Sequence, residues 1–152
     1  MKTVDKLYNI TDWICRIFML GMVLIVTVVV IGRYVFNTTP GWGEELAITC
    51  MIWFGLLSSA MAEKRNDHIR ITVLDTIYPK VLVRIFGILH YAAKIIFALI
   101  LIVQGIQLTI FNIPSVMSGL PLSEAFIYAS APVTGVLMLV FLLARFKKEM
   151  VK

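Results

Sequence analysis

This sequence is poor in charge. Asp, Glu, Lys and Arg together make up 15% of its 152 residues, where a soluble domain carries about 25%. Histidine and cysteine are also scarce, with two of each. A bis-histidine haem would need His68 and His90 inside one bundle, and His68 falls in a charged stretch between apolar runs. Cys15 stands near the start of the first apolar run and Cys50 inside the second. If those runs cross antiparallel, the thiols lie at different depths and miss disulfide geometry. The chain also lacks a Gly-rich phosphate loop, a metal-ligand spacing and a nucleophile motif. These gaps argue against an enzyme and predict no cofactor. The basic residues form blocks between apolar runs, without an aromatic-interleaved stripe, so the +5 formal charge does not indicate nucleic acid.

What fills the chain is apolar. It is 60% hydrophobic, with a mean hydropathy of +0.92, and its long uncharged runs predict a polytopic membrane protein. The fold class expected is all-α integral membrane: four transmembrane helices plus short interfacial amphipathic helices, in a single membrane domain over 1–152. Spans are expected at about 13–36, 42–62, 91–112 and 122–145, with a cytoplasmic amphipathic segment at about 70–90. Residues 1–12 alternate polar and apolar, which suits a short helix lying on the membrane surface. The apolar run that follows is too long for a signal-peptide core, so it reads as a retained helix in contact with membrane lipid.

Punctuation sets the boundaries. Residues 37–41 (Asn-Thr-Thr-Pro-Gly) are a turn by composition. Residues 63–70 read as a charged loop. Pro79 interrupts an amphipathic pattern over 71–85, so a new helix should start near it. Residues 112–121 form an uncharged loop, and Pro132 should kink the last helix by freeing the Tyr128 carbonyl. Every lysine and arginine except Arg33 and Lys94 then falls on one side, which predicts cytoplasmic termini.

A few residues stand out as candidates. Lys94 is the deepest charge; it suits part of an ion path, a lysine snorkelling to the interface, or one bonded to a neighbouring helix. Arg33 ends the first span while Glu44 and Glu45 open the second. An ion pair bracing the hairpin is expected, with solute contact as the alternative. Trp42, Glu45, Thr49, Trp53, Leu56 and Ala60 share one face of a helix and Glu44 points almost the opposite way, so the two glutamates should have different partners. Trp13, Trp42, Trp53 and Tyr34 suit interfacial belts or packing. Gly21, Val28 and Gly32 share a face that would permit close helix contact. A small-and-polar stripe of Gly87, His90, Lys94, Ala98, Gly105 and Asn112 on the third helix, and the Gly135 face of the fourth, suggest packing against a partner.

One stretch carries a resemblance. Gly32-Arg33-Tyr34-Val35-Phe36-Asn37, then Trp42-x-Glu44-Glu45-Leu46-Ala47, then Trp53, then Arg65-x-x-His68-Ile69, resembles the small permease subunit, of DctQ type, of tripartite ATP-independent periplasmic (TRAP) transporters. The likeness covers about residues 28–75. It departs where the family often has an acid after the histidine: here Thr72 stands there, with Asp75 three residues on. The resemblance implies an accessory subunit of a sodium-driven symport system in the bacterial inner membrane, taking up an organic acid such as a dicarboxylate or a sialic acid. It implies a large permease subunit and a periplasmic solute-binding protein as partners. The alternative is a self-contained four-helix transporter of the small multidrug type. That type needs an acid inside a span, whereas Glu44, Glu45 and Glu124 all sit at outer ends. A membrane redox or quinone protein fits the histidine and cysteine inventory poorly.

Overall fold

The computed structural model describes residues 2–65 and 80–150. His68, Thr72, Asp75 and most of the amphipathic segment expected at about 70–90 lie outside the described residues. Outside the 36–40 turn and the 112–124 loop the described residues are almost all helical: α1 (Lys2–Val35), α2 (Gly41–Arg65), α3 (Lys80–Phe111), α4 (Ala125–Tyr128) and α5 (Ser130–Met150). Among the described residues, four stretches are long and apolar enough to cross a membrane: Val4–Val35, Gly41–Lys64, Phe86–Phe111 and Ala125–Arg145. The chain is therefore an all-α multi-pass membrane protein.

Two boundaries differ from the sequence expectation, and a third feature, the break in the last span, falls close to the kink expected from Pro132. The entry 1–12 is not a separate surface helix; it is continuous with the first span in a 34-residue α1. No proline or glycine interrupts residues 2–20. Its apolar residues Val4, Leu7 and Tyr8 pack on a core of Ala60, Ala98, Met138, Phe141 and Leu142, so the helix stays with the other spans. Likewise, α2 does not stop at Ala62 but runs through Glu63 to Arg65. The last span is divided at Ala129 into α4 and α5. Pro132 has no amide to give the Tyr128 carbonyl, and the Ser130 hydroxyl turns back to the Ile127 carbonyl at 2.5 Å. Pro79, near which the sequence predicts a new helix, lies outside the described residues, and α3 is described from Lys80 onward.

The spans pack in a row. α1 lies against α2, α2 against α5, and α5 against α3; among the described residues α1 and α3 make no close backbone approach. This is an open layer with two edge helices, unlike a closed four-helix square. α2 and α5 are the middle helices and hold most of the buried positions; the apolar windows of α1 and α3 bury almost nothing.

The α3–α5 seam explains the small residues. A Cβ on Gly105 would stand 2.6 Å from Pro132 Cδ, and one on Gly135 2.9 Å from the Ala98 carbonyl oxygen. Only glycine permits this approach, which supplies the dispersion contact that holds helices together in lipid. Ala98 and Gly105 of the small-and-polar stripe thus meet the Gly135 face of α5. On α1, Gly21 faces Cys50 Sγ at 3.9 Å and Gly32 faces the turn, with the Thr38 carbonyl oxygen 3.0 Å from a built Cβ. Val28 of that set is exposed.

Candidate functional site

The polar chemistry gathers at the two ends of α2. At the end near the 37–41 turn, α1 closes through Asn37 at φ 50°, a left-handed position that asparagine tolerates better than most residues. The Phe36 and Thr38 amides both return to the Gly32 carbonyl at 3.1 Å. Pro40 then leads into α2, the place where a fixed φ and a missing amide cost least. Glu45, in the next turn, accepts the Ser118 amide on Oε1 at 2.8 Å and the Gly119 amide on Oε2 at 2.9 Å. A carboxylate taking two backbone amides is a strong, directed tie. It draws the 112–124 loop onto α2 so closely that a Cβ on Gly119 would overlap the Gly41 carbonyl and the Trp42 amide.

That loop is itself ordered by hydrogen bonds. Met117 N donates to the Leu122 carbonyl and Glu124 N to that of Ser115, both at 2.9 Å. The Ser123 hydroxyl bridges the Asn112 and Ile113 carbonyls at 3.0 and 2.9 Å.

The expected Arg33–glutamate ion pair is not formed among the described residues. Both oxygens of Glu45 are committed to the loop, while Arg33 and Glu44 remain exposed. The two glutamates do differ in surroundings. Tyr34 is 80% exposed and Trp42 39%, as suits residues at the membrane boundary. Trp53 instead knits three elements. It stacks on Phe18 of α1 with centroids 5.6 Å apart, meets Phe126 of α4 at 5.4 Å, and donates Nε1–H to the Phe126 carbonyl at 3.0 Å.

At the other end of α2 the ties are ionic. Lys94 Nζ lies 2.6 Å from Glu63 Oε2, and the two side chains are only 17% and 9% exposed. The pair joins α2 to α3 across the face of α5. Arg145 of α5 adds a long contact from Nη1 to the Glu63 carbonyl, 3.5 Å, and sits over the Tyr91 ring at 5.8 Å. Lys64 reaches α1, pairing with Asp5 at 2.7 Å and covering the Tyr8 ring at 4.2 Å. Tyr8 meets Phe141 edge-on at 6.2 Å. All four spans are therefore tied at this end. His90 packs edge-on to Tyr91 at 6.5 Å. Arg65 closes α2.

Of the alternatives open for Lys94, the geometry selects a bond to a neighbouring helix. Glu63 was missed by the sequence reading, which placed it in a loop. It falls five helical turns after Glu45, on the same face, and that spacing was the available signal. Nothing in the sequence marked Ser118 and Gly119, which act through backbone amides. Among the described residues, no group of three or more His, Cys, Asp or Glu could hold a metal ion. Cys15 and Cys50 are free and buried, with Cys15 Sγ 3.7 Å from Met61 Sδ.

Comparison with known proteins adds what geometry does not. Residues 22–151 match the family described as "Tripartite ATP-independent periplasmic transporters, DctQ component". The sialic acid TRAP transporter permease protein SiaT of Haemophilus influenzae (strain 86-028NP) is 24% identical over 143 residues, covering 91% of this chain and 22% of that protein. The C4-dicarboxylate TRAP transporter small permease protein DctQ of Vibrio cholerae serotype O1 is 28% identical over 95 residues, 62% of this chain and 41% of that protein. The sialic acid TRAP transporter small permease protein SiaQ of the same organism is 28% identical over 140 residues, 91% of this chain and 80% of that protein. The chain thus spans about a fifth of the first relative and two fifths of the second.

Proposed function

From the premise that the chain belongs to the DctQ component family of TRAP transporters, a family of small permease subunits of the inner membrane, we propose that it braces the large permease subunit of a sodium-driven uptake system for an organic acid. The observation that carries this reading is the open row of spans. Four helices in a layer, tied at both ends of α2, leave broad apolar flanks on α1 and α3 that a self-contained transporter would use to enclose a path. Support also comes from the Haemophilus relative, where the matching stretch is about a fifth of one longer permease chain. The names of the relatives favour a dicarboxylate or a sialic acid as the solute.

The subunit carries no solute itself. Glu63, the buried carboxylate, is neutralised by Lys94, and Glu45 is held by loop amides. A small multidrug-type transporter would need such an acid free to exchange a proton or a cation. The termini face the cytoplasm, with the Glu63–Lys94 end on that side and the Glu45 loop on the periplasmic side. There the loop and the 37–41 turn offer a rim on which a periplasmic binding protein docks. Residues Arg33, Tyr34, Trp42 and Glu44 lie on that rim, and Arg65 and His68 belong to the cytoplasmic connection.

Co-purification in mild detergent tests the reading. The chain should elute with the large permease subunit of its transporter at a fixed ratio. Elution of the chain alone, from cells making both, would contradict it. Reporter fusions at residues 38 and 67 check orientation: a periplasmic signal at 38 and a cytoplasmic one at 67 are expected, and the reverse would overturn it.

A further inference from the structure

The two edge helices differ in one respect that lipid would notice. On α1 the exposed surface between Arg16 and Arg33 is aliphatic, with Ile17, Leu20, Leu24 and Ile31 all 46–66% exposed. Its one exposed polar side chain there, Thr27, is satisfied by the Val23 carbonyl of its own helix at 2.7 Å. On α3 the exposed face carries Gln104 and Gln107. Neither amide has a hydrogen-bond partner among the described residues, whereas Thr109 and Asn112 of the same helix bond back to Gly105 and Leu108.

The position of these glutamines matters. At about 1.5 Å per residue, Gln104 lies ~15 Å along the helix from Lys94 and ~12 Å from Asn112, near the middle of a hydrocarbon core. At about 100° per residue both point away from the Ala98–Gly105 seam, together with Phe97, Ile100 and Phe111. A carboxamide has two donors and an acceptor, and hydrocarbon satisfies none of them. In membranes such side chains bond across helices.

We infer that the Gln104–Gln107 face of α3 is the surface that docks the large permease subunit, whose helices supply hydrogen-bond donors and acceptors to the two carboxamides, while α1 faces lipid. The inference rests on the proposed function. It commits to the permease body over a second copy of this chain for one reason. In the Haemophilus relative the stretch matching this chain is joined to most of a permease in a single polypeptide.

Site-specific photo-crosslinking in the co-expressed pair tests this. A photoreactive phenylalanine analogue replaces Gln104 or Gln107, or Leu24 on α1 as the comparison. Irradiated membranes should give an adduct of the two subunits from positions 104 and 107 and little from 24. Gln104→Leu together with Gln107→Leu should lower the recovered large subunit about tenfold, the loss of two interhelical bonds. The variant chain's own melting should change little, since both side chains are exposed and neither hydrogen-bonds to the rest of it among the described residues. Adducts with a second copy of this chain, adducts from position 24 alone, or none from 104 and 107 while the unmodified pair still co-purifies would overturn the docking face and leave the proposed function standing. Failure of the unmodified pair to co-purify would overturn both.

Discussion

The two glutamates near the ends of α2 are held by opposite means. Glu45 is half-buried and gives its oxygens to two neutral amides of a loop. Glu63 is buried and gives Oε2 to an ammonium on another span. The first tie fixes a local loop; the second joins helices distant in sequence. A carboxylate on amides loses shape when removed, but leaves no charge behind. A buried ion pair that loses one partner leaves an uncompensated charge in a poor solvent for it. The ionic end should therefore be the more costly to break, and the amide end the more local in its effect.

The largest effect should come from Lys94→Ala. It strands Glu63 and should lower stability by about 3–5 kcal/mol, seen as a reduced melting temperature of the purified chain. Lys94→Met combined with Glu63→Met should recover most of that loss, because two apolar side chains replace a pair that had to be desolvated. A double variant as unstable as Lys94→Ala would mean that the charges hold more than each other. Next, Gly135→Leu forces a side chain into the Ala98–Ile102 wall and should cost about 1–3 kcal/mol or more by overpacking. It tests whether the α3–α5 seam, and not the ion pair alone, positions α3.

Glu45→Gln is expected to cost about 1–3 kcal/mol, since one of its oxygens becomes a donor facing a donor. Its signature is local: hydrogen exchange should speed at the Ser118 and Gly119 amides and stay unchanged in α3. Faster exchange throughout α3 would erase the contrast between the two ends. The smallest effect belongs to Lys64→Ala. Its partner Asp5 is 62% exposed, so the loss should stay under about 1 kcal/mol and shrink further in high salt. The Lys94 effect should persist in the same salt.

The contrast also marks what a sequence can and cannot tell. Spans were legible because apolar runs and prolines act locally: the last span divides at Ala129, close to the kink expected from Pro132. The resemblance over residues 28–75 gave the family. The order of spans in the row was not legible, since it depends on which small residues meet. Gly105 and Gly135 were visible as small, yet nothing local said they would face each other. Arg33 and Glu45 looked like a pair by type and spacing. Backbone amides, which no sequence pattern advertises, took the carboxylate instead. The continuity of α1 through residue 12 was hidden because an amphipathic pattern suits both a membrane surface and the flank of a bundle.

The central claim is that this chain braces a transporter without carrying solute. Uptake by liposomes under a sodium gradient, with a matching binding protein and a labelled organic acid, tests it most directly. Vesicles holding this chain alone should take up nothing above background, and vesicles holding it with the large permease subunit should accumulate solute. Sodium-dependent uptake by the chain alone would contradict the account.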